Sequence, residues 1–152
     1  MLQTRLVHVC DREADFFELF DEQRRNRCVE LLVRAKHNRN TSEEPFKLFE
    51  KACQASVSSR VQINIPRQSA RPRKSKQKTR PARPGRLADM AQYVFCVSNF
   101  VQPHYLGDKE SIGLWLVHAV EENPPADTKA VEWFLLTTIE ITSAADAEQC
   151  LR

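Results

Sequence analysis

The strongest constraint on the fold is an alternation of strand, helix and strand over residues 5 to 35. Residues 5 to 10 form an apolar run that predicts a buried strand, and this run ends in charge at Asp11. Apolar side chains at helical spacing predict a helix over residues 13 to 25. The apolar run over residues 28 to 35 follows closely, so the two strands are expected to be parallel and joined by a right-handed crossover. The chain is therefore predicted to begin as an α/β fold.

The pattern changes after a second predicted helix at residues 42 to 54, for which Ser42 is the expected cap. Residues 60 to 66 alternate apolar and polar side chains, which is typical of an antiparallel sheet. Further strands are predicted at residues 92 to 101, 112 to 121 and 131 to 140. Ser143 and Asp146 have the spacing of a helix cap and predict a final helix. The middle of the chain is therefore predicted to be a β-rich lobe.

Composition excludes a membrane-spanning protein. The 152 residues are 41% hydrophobic and 28% charged, which is ordinary usage for a globular protein. No stretch approaches the roughly 20 apolar residues that a membrane span needs, and residues 1 to 10 lack a signal-peptide pattern, so a cytoplasmic location is expected. The five cysteines and four histidines are dispersed, without the paired spacing of a zinc site. The cysteines are therefore expected to be buried free thiols.

Most of the positive charge lies in one basic tract, residues 67 to 86, which carries nine Lys and Arg and no acid. The net charge of the whole chain is only +3, so the remainder is acidic. The tract is expected either to follow a nucleic-acid backbone, with salt-dependent affinity, or to be a solvated loop. Its candidate DNA contacts are Arg73, Lys74, Lys76, Lys78, Arg80 and Arg83.

Asp11 has two interpretations. It is either a metal ligand at the end of a strand, where open α/β sheets place such chemistry, or the N-cap of the helix that follows. Glu13 and Asp15 follow closely, and their order in "DREAD" leaves their roles open. The plainer interpretation of Asp15 is a solvated acid in the first helical turn.

Arg34, Lys36 and Trp133 are candidate DNA-binding residues outside the tract. Arg34 and Lys36 lie two residues apart, where both either aim at a phosphate or face solvent. Trp133 either stacks on a base or packs in the core of the β-rich lobe, because apolar residues surround it. The residues alone leave both pairs of alternatives open.

Several short motifs occur in order along nearly the whole chain. They are "VCDREAD" (9 to 15), "LLVRAKHNR" (31 to 39), "INIP" (63 to 66), "RPAR" (80 to 83), "NPP" (123 to 125) and "EWFLLTT" (132 to 138). With these motifs the sequence resembles the bacterial transposases of the insertion-sequence-four family. The pair formed by "DREAD" and "VRAKHNR" is the most specific part of the resemblance.

The resemblance implies an RNase H-like catalytic core that cuts and joins DNA by phosphoryl transfer. Such a core holds two divalent metals, Mg²⁺ or Mn²⁺, with an Asp-Asp-Glu triad. Asp11 matches the second Asp, which makes it the implied catalytic and metal-binding residue. Arg34 and Lys36 match positions facing transposon-end DNA, and Trp133 matches an aromatic residue that stacks on a flipped base.

The resemblance also divides the chain. Residues 1–55 would form a partial RNase H-like core, residues 56–142 a β-rich insertion that carries the basic tract, and residues 143–152 the start of a helix. No residue matches the first Asp or the Glu of the triad. The expectation is a fragment of a cut-and-paste DNA transposase that is inactive alone. The alternative is a standalone nucleic-acid-binding or transposition-inhibitor protein that pairs with a full-length transposase or its DNA ends.

Overall fold

The computed structural model describes residues 4–41, 46–70, 81–100 and 112–152. In these ranges the chain forms the strands β1 (Val7–Cys10), β2 (Glu30–Arg34), β3 (Ser59–Ile65), β4 (Arg86–Phe100), β5 (Ile112–Glu122) and β6 (Glu132–Thr137). The helices are α1 (Phe17–Arg25), α2 (Leu48–Gln54) and α3 (Ala144–Gln149), and a 3₁₀ turn covers Arg12–Ala14. Each predicted strand is present, with shifted ends.

The six described strands form one sheet in the order β1-β2-β6-β5-β4-β3. β1 and β2 are parallel, as predicted, with Val9 opposite Leu32. The other neighbouring strands are antiparallel. Because β2 also pairs with β6, the sheet continues from the predicted core segment into the predicted β-rich lobe. The chain is therefore a mixed α/β protein built on one sheet.

Core clusters lie on both faces of the sheet. The cluster beside α1 and α2 contains Phe17, Phe20, Leu31, Val33 and Leu48. The cluster beside α3 contains Leu32, Met90, Val117 and Ala147. Successive residues of β2 thus point to opposite faces and are buried on both. Burial on both faces explains why this segment is continuously apolar rather than alternating.

The prediction that β1 is buried is wrong, because β1 is an exposed edge strand. Leu6 is 58% exposed and Val9 is 75% exposed. β2 pairs with one side of β1, and no strand in the described ranges pairs with its other side. An apolar run identifies a strand, but it does not reveal how many neighbours cover that strand.

The predicted start of the first helix is also wrong. α1 begins only at Phe17, because the backbone of Asp15 is not helical and its carboxylate is bound by a distant loop. The capping pair at the start of α3 is confirmed, since Ser143 and Asp146 exchange hydrogen bonds. Lys47 occupies the N-cap position of α2, where its backbone N–H donates to the Glu50 carboxylate at 3.0 Å, and the expected cap Ser42 lies outside the described residues.

The described helices are all short. None of them is both long enough and apolar enough to cross a bilayer.

Candidate nucleic-acid interface

Asp11 lies immediately after the last residue of β1, and its side chain is exposed to solvent. It therefore sits at the carboxyl end of a strand that is parallel to β2, as the sequence predicts. The Asp11 carboxylate accepts a hydrogen bond from the backbone N–H of Arg12 at 2.8 Å. It thus caps the 3₁₀ turn, not α1. Its role as a metal ligand stays a prediction.

Asp15 is buried, so its interpretation as a solvated acid is wrong. Its carboxylate accepts backbone hydrogen bonds from Lys36 at 2.6 Å and His37 at 2.8 Å. The Arg39 guanidinium donates to the same carboxylate at 2.9 Å. Asp15 thereby ties the turn after β1 to the loop after β2. This contact gives a physical reason for "DREAD" and "VRAKHNR" to occur together.

The described acids near Asp11 do not fit a pair of divalent metals. Glu13 pairs with the Lys36 ammonium at 3.4 Å, and Asp15 is enclosed by its donors. No group of three metal-ligating side chains that includes Asp11 exists among residues placed by the structure. A two-metal site needs several converging carboxylates. The described residues therefore supply two exposed carboxylates at this position, Asp11 and Glu13, of which Glu13 is paired with Lys36.

A cleft of about 720 Å³ opens beside the ends of β2 and β6. We call it the basic cleft. Its cationic lining residues are Arg12, Arg34, Lys36, Arg67, Arg83, Arg86 and Lys129. The aromatic residues Phe49, Phe134 and Trp133 also line the cleft. Among its described lining residues, Glu132 is the one acid. The cleft is therefore strongly positive and partly aromatic.

Three chain segments join the 3₁₀ turn that carries Arg12 in bringing these cations together. Arg34 ends β2, and Lys129 precedes β6. The third wall is the base of the basic tract, where Gln68 and Arg83 exchange backbone hydrogen bonds at 2.8 and 2.9 Å. Gly85 keeps this base narrow, since a side-chain Cβ there would lie 3.1 Å from the Arg67 backbone nitrogen.

The cations of the cleft differ in how far they are neutralised. Arg86 pairs with the buried carboxylate of Glu121 at 2.7 Å, so it mainly holds β4 to β5. Arg12, Arg34 and Arg83 make no ion pair within the described ranges. Burial lowers the pKa of Arg34, nearby Arg12 lowers it further, and Asp11 opposes both effects. Positive charge is thus concentrated beside Arg34 without full compensation.

Trp133 takes part in both alternatives that the sequence left open. It is half-buried and packs against the core cluster beside α3. It also lines the basic cleft. Two further aromatic rings lie at the cleft, where Phe49 and Phe134 stack with their centroids 4.1 Å apart. The cleft therefore combines cations with the aromatic surface that base stacking uses.

The structure brings four of the predicted DNA-binding residues into one site. Arg34, Lys36, Arg83 and Trp133 all line the basic cleft, although they come from distant parts of the sequence. The other predicted contacts, Arg73, Lys74, Lys76, Lys78 and Arg80, lie outside the described residues. Lys36 lies beyond the end of β2 and not on the strand.

Sequence reasoning missed Arg12, Arg67 and Lys129 as cleft residues. Arg12 directly follows the predicted metal ligand, which is the one signal that could have drawn attention to it. Lys129 lies in a polar loop without a distinguishing pattern.

No protein-family model matches the chain.

Proposed function

We propose that this chain is part of the catalytic region of a cut-and-paste DNA transposase and binds the DNA backbone in the basic cleft. The observation that carries the proposal is the convergence of Arg34, Lys36, Arg83 and Trp133 in one cleft. Arginine side chains bind phosphate oxygens through paired hydrogen bonds, and aromatic faces stack on bases. A cleft that offers both recognises a polyanion with exposed bases, such as a DNA end.

The parallel pair of β1 and β2 supports the RNase H-like part of the proposal. Asp11 follows β1 at the edge where such folds collect metal ligands, and its carboxylate is exposed. Asp15 holds the turn that carries Asp11 against the loop that follows Arg34. In this proposal Asp11 supplies one metal ligand, and the DNA lies across the cations beside it.

The test is DNA binding measured by fluorescence anisotropy over a range of salt concentrations. Replacing Arg34 and Arg83 together by Gln should flatten the slope of log K against log salt by roughly 1.8, about 0.9 for each lost phosphate contact. The matched control replaces Arg60 and Arg152, two exposed arginines outside the cleft lining, by Gln. An equal loss of affinity in both double variants would show that general charge, not the cleft, binds DNA.

The basic tract is tested separately. Replacing Arg73, Lys74, Lys76 and Lys78 together by Gln should flatten the same slope by about 3 to 4 if each contacts a phosphate. The fold should be unchanged, because Lys and Arg side chains are seldom buried in a core. A salt slope that this quadruple variant leaves unaltered would restrict the interface to the cleft.

A binding protein without catalysis is the second candidate. It is favoured by the arrangement around Asp11, where the neighbouring described acids are engaged by Lys36 and Arg39. Adding the chain to a transposition reaction run by a full-length transposase separates the candidates. Inhibition that depends on Arg34 and Arg83 supports the second candidate, whereas no inhibition leaves the first.

A further inference from the structure

Three potential metal ligands converge beside the basic cleft, although the sequence gives no zinc-like spacing. They are the Cys53 thiol on α2, the His118 imidazole on β5 and the Glu132 carboxylate on β6. One ligand atom from each side chain lies within 4.8 Å of both others. Sequence spacing does not indicate this cluster, because the antiparallel pairing of β5 and β6 places Glu132 diagonally across from His118, while α2 brings Cys53 from a distant segment.

The His118 ring is held in a fixed orientation. It is 4% exposed and stacks on Phe134, with centroids 4.2 Å apart and planes 3° from parallel. Its Nε2 atom lies 2.9 Å from a Glu132 oxygen. Its Nδ1 atom is buried and has no hydrogen-bond partner among the described residues. The Nε2 atom faces Glu132 and is therefore the ring nitrogen positioned to bind a cation together with that carboxylate.

α2, the helix that carries Cys53, is held in place at its first turn. The Asn38 side-chain oxygen accepts a hydrogen bond from the Phe49 backbone N–H at 2.9 Å, which fixes the start of the helix. The Phe49 ring stacks on Phe134, the same ring that stacks on His118. The Phe134 ring therefore contacts both the helix that carries Cys53 and the His118 ring.

We propose that Cys53, His118 and Glu132 bind one zinc ion. A thiolate and an imidazole favour Zn²⁺ over Mg²⁺ or Mn²⁺, which prefer oxygen ligands. Zinc distances of about 2.0 to 2.3 Å require ligand atoms roughly 3.5 Å apart. The exposed side chains of Cys53 and Glu132 can close that difference by rotating, while His118 stays fixed. Three protein ligands leave a fourth position for water or another ligand.

A cysteine nucleophile is a poorer explanation of the same cluster. Nucleophilic thiols have a lowered pKa beside cationic groups. Burial raises the pKa of Cys53, and the neighbouring Glu132 raises it further. Neither effect favours a nucleophilic thiolate at Cys53.

Zinc binding is measured by isothermal titration of chelator-treated protein, with Co²⁺ as a spectroscopic substitute. The expected result is one ion per chain, a thiolate-to-cobalt charge-transfer band and the visible bands of tetrahedral Co²⁺. Cys53→Ser should remove the charge-transfer band and weaken Zn²⁺ affinity by about 100-fold or more, since loss of even an outer partner costs about 10- to 100-fold. Glu132→Gln should weaken Zn²⁺ affinity and keep the band.

Matched controls are Cys28→Ser and Glu13→Gln, which change an exposed thiol and an exposed carboxylate away from the cluster. Both should bind Zn²⁺ like the wild type. His118→Gln should abolish binding, with circular dichroism as the check of folding. If that variant does not fold, Cys53→Ser and Glu132→Gln decide. Failure of the wild type to bind Zn²⁺, or binding that Cys53→Ser leaves intact, would overturn the proposal whatever the DNA measurements show.

Discussion

Two neighbouring regions of the molecule use their charges in opposite ways. In the corner formed by residues 11–15 and 36–39, the buried Asp15 is satisfied by two backbone N–H groups and Arg39, and Glu13 pairs with Lys36. In the basic cleft, cations outnumber acids, and Arg34 lies close to another arginine. In the corner most polar groups hold the turn and the loop together, whereas Arg34 and Arg83 of the cleft make no ion pair among the described residues and stay available for a ligand. Sequence motifs alone do not separate these uses.

The largest expected effect tests the structural side of this comparison. Asp15→Asn removes the charge that pairs with Arg39, so the free energy of unfolding should fall by about 3 to 5 kcal/mol. Urea denaturation followed by circular dichroism measures the change. Asp11→Asn is the control and should cost only a few tenths of a kcal/mol, because Asn caps a turn nearly as well as Asp. Equal losses in both variants would contradict the assignment of Asp15 as the structural acid.

The second largest expected effect tests whether Trp133 in the basic cleft stacks on a DNA base. If Trp133 stacks on a base, Trp133→Ala should weaken binding to single-stranded or hairpin DNA by about 1 to 3 kcal/mol and leave the salt slope unchanged. Trp115→Ala is the matched control, since Trp115 packs against the same core cluster without lining the cleft. Both variants should lose stability. Equal affinity in the two would assign Trp133 to packing alone.

A smaller effect is the pH dependence of stability that arises from the ion pair between Arg86 and Glu121. Hydrogen bonding to Arg86 holds the pKa of Glu121 below its usual value, with a further contribution from the Val131 backbone. The unfolded chain therefore binds a proton that the folded chain does not, so stability falls as the pH drops from about 5 through the folded pKa.

Thermal melting of the wild type and Glu121→Gln across this pH range checks the effect. The variant should be less stable at neutral pH, and the difference should shrink as the pH falls. The pKa of Asp146 is also lowered, by Ser143 and Thr142, but Asp146 is present in both proteins and cancels in the comparison. A difference that stays constant with pH would mean that the Arg86 pair adds nothing through its charge.

The smallest expected effect is catalytic. Asp11 has no converging carboxylates among the described residues, so Mg²⁺ or Mn²⁺ should produce no nicking of DNA by the chain alone. Asp11→Asn should then behave like the wild type in a nicking assay on labelled duplex DNA. Metal-dependent cleavage that this substitution abolishes would show that residues outside the described ranges complete the metal site.

The elements that sequence could predict are those fixed by local patterns. The alternation of residues 60 to 66 and the apolar run of β2 gave correct strands, and Ser143 with Asp146 gave a correct helix start. The burial of Asp15 could not be predicted, because its partners lie more than twenty residues away and two of them are backbone groups. The meeting of Cys53 with His118 depends on strand pairing and helix placement, which spacing does not encode.

One side of β1 has no partner strand among the described residues, and this affects how the chain behaves at high concentration. Free N–H and C=O groups along a strand edge can template pairing with another molecule, and natural proteins block this with charged gatekeeper residues. Here Leu6 and Val9 stand exposed, and the nearby Arg5 is engaged by Glu30 at 3.0 Å. Intermolecular association should therefore begin at this edge as the concentration rises, and a lysine in place of Val9 should keep the protein dispersed.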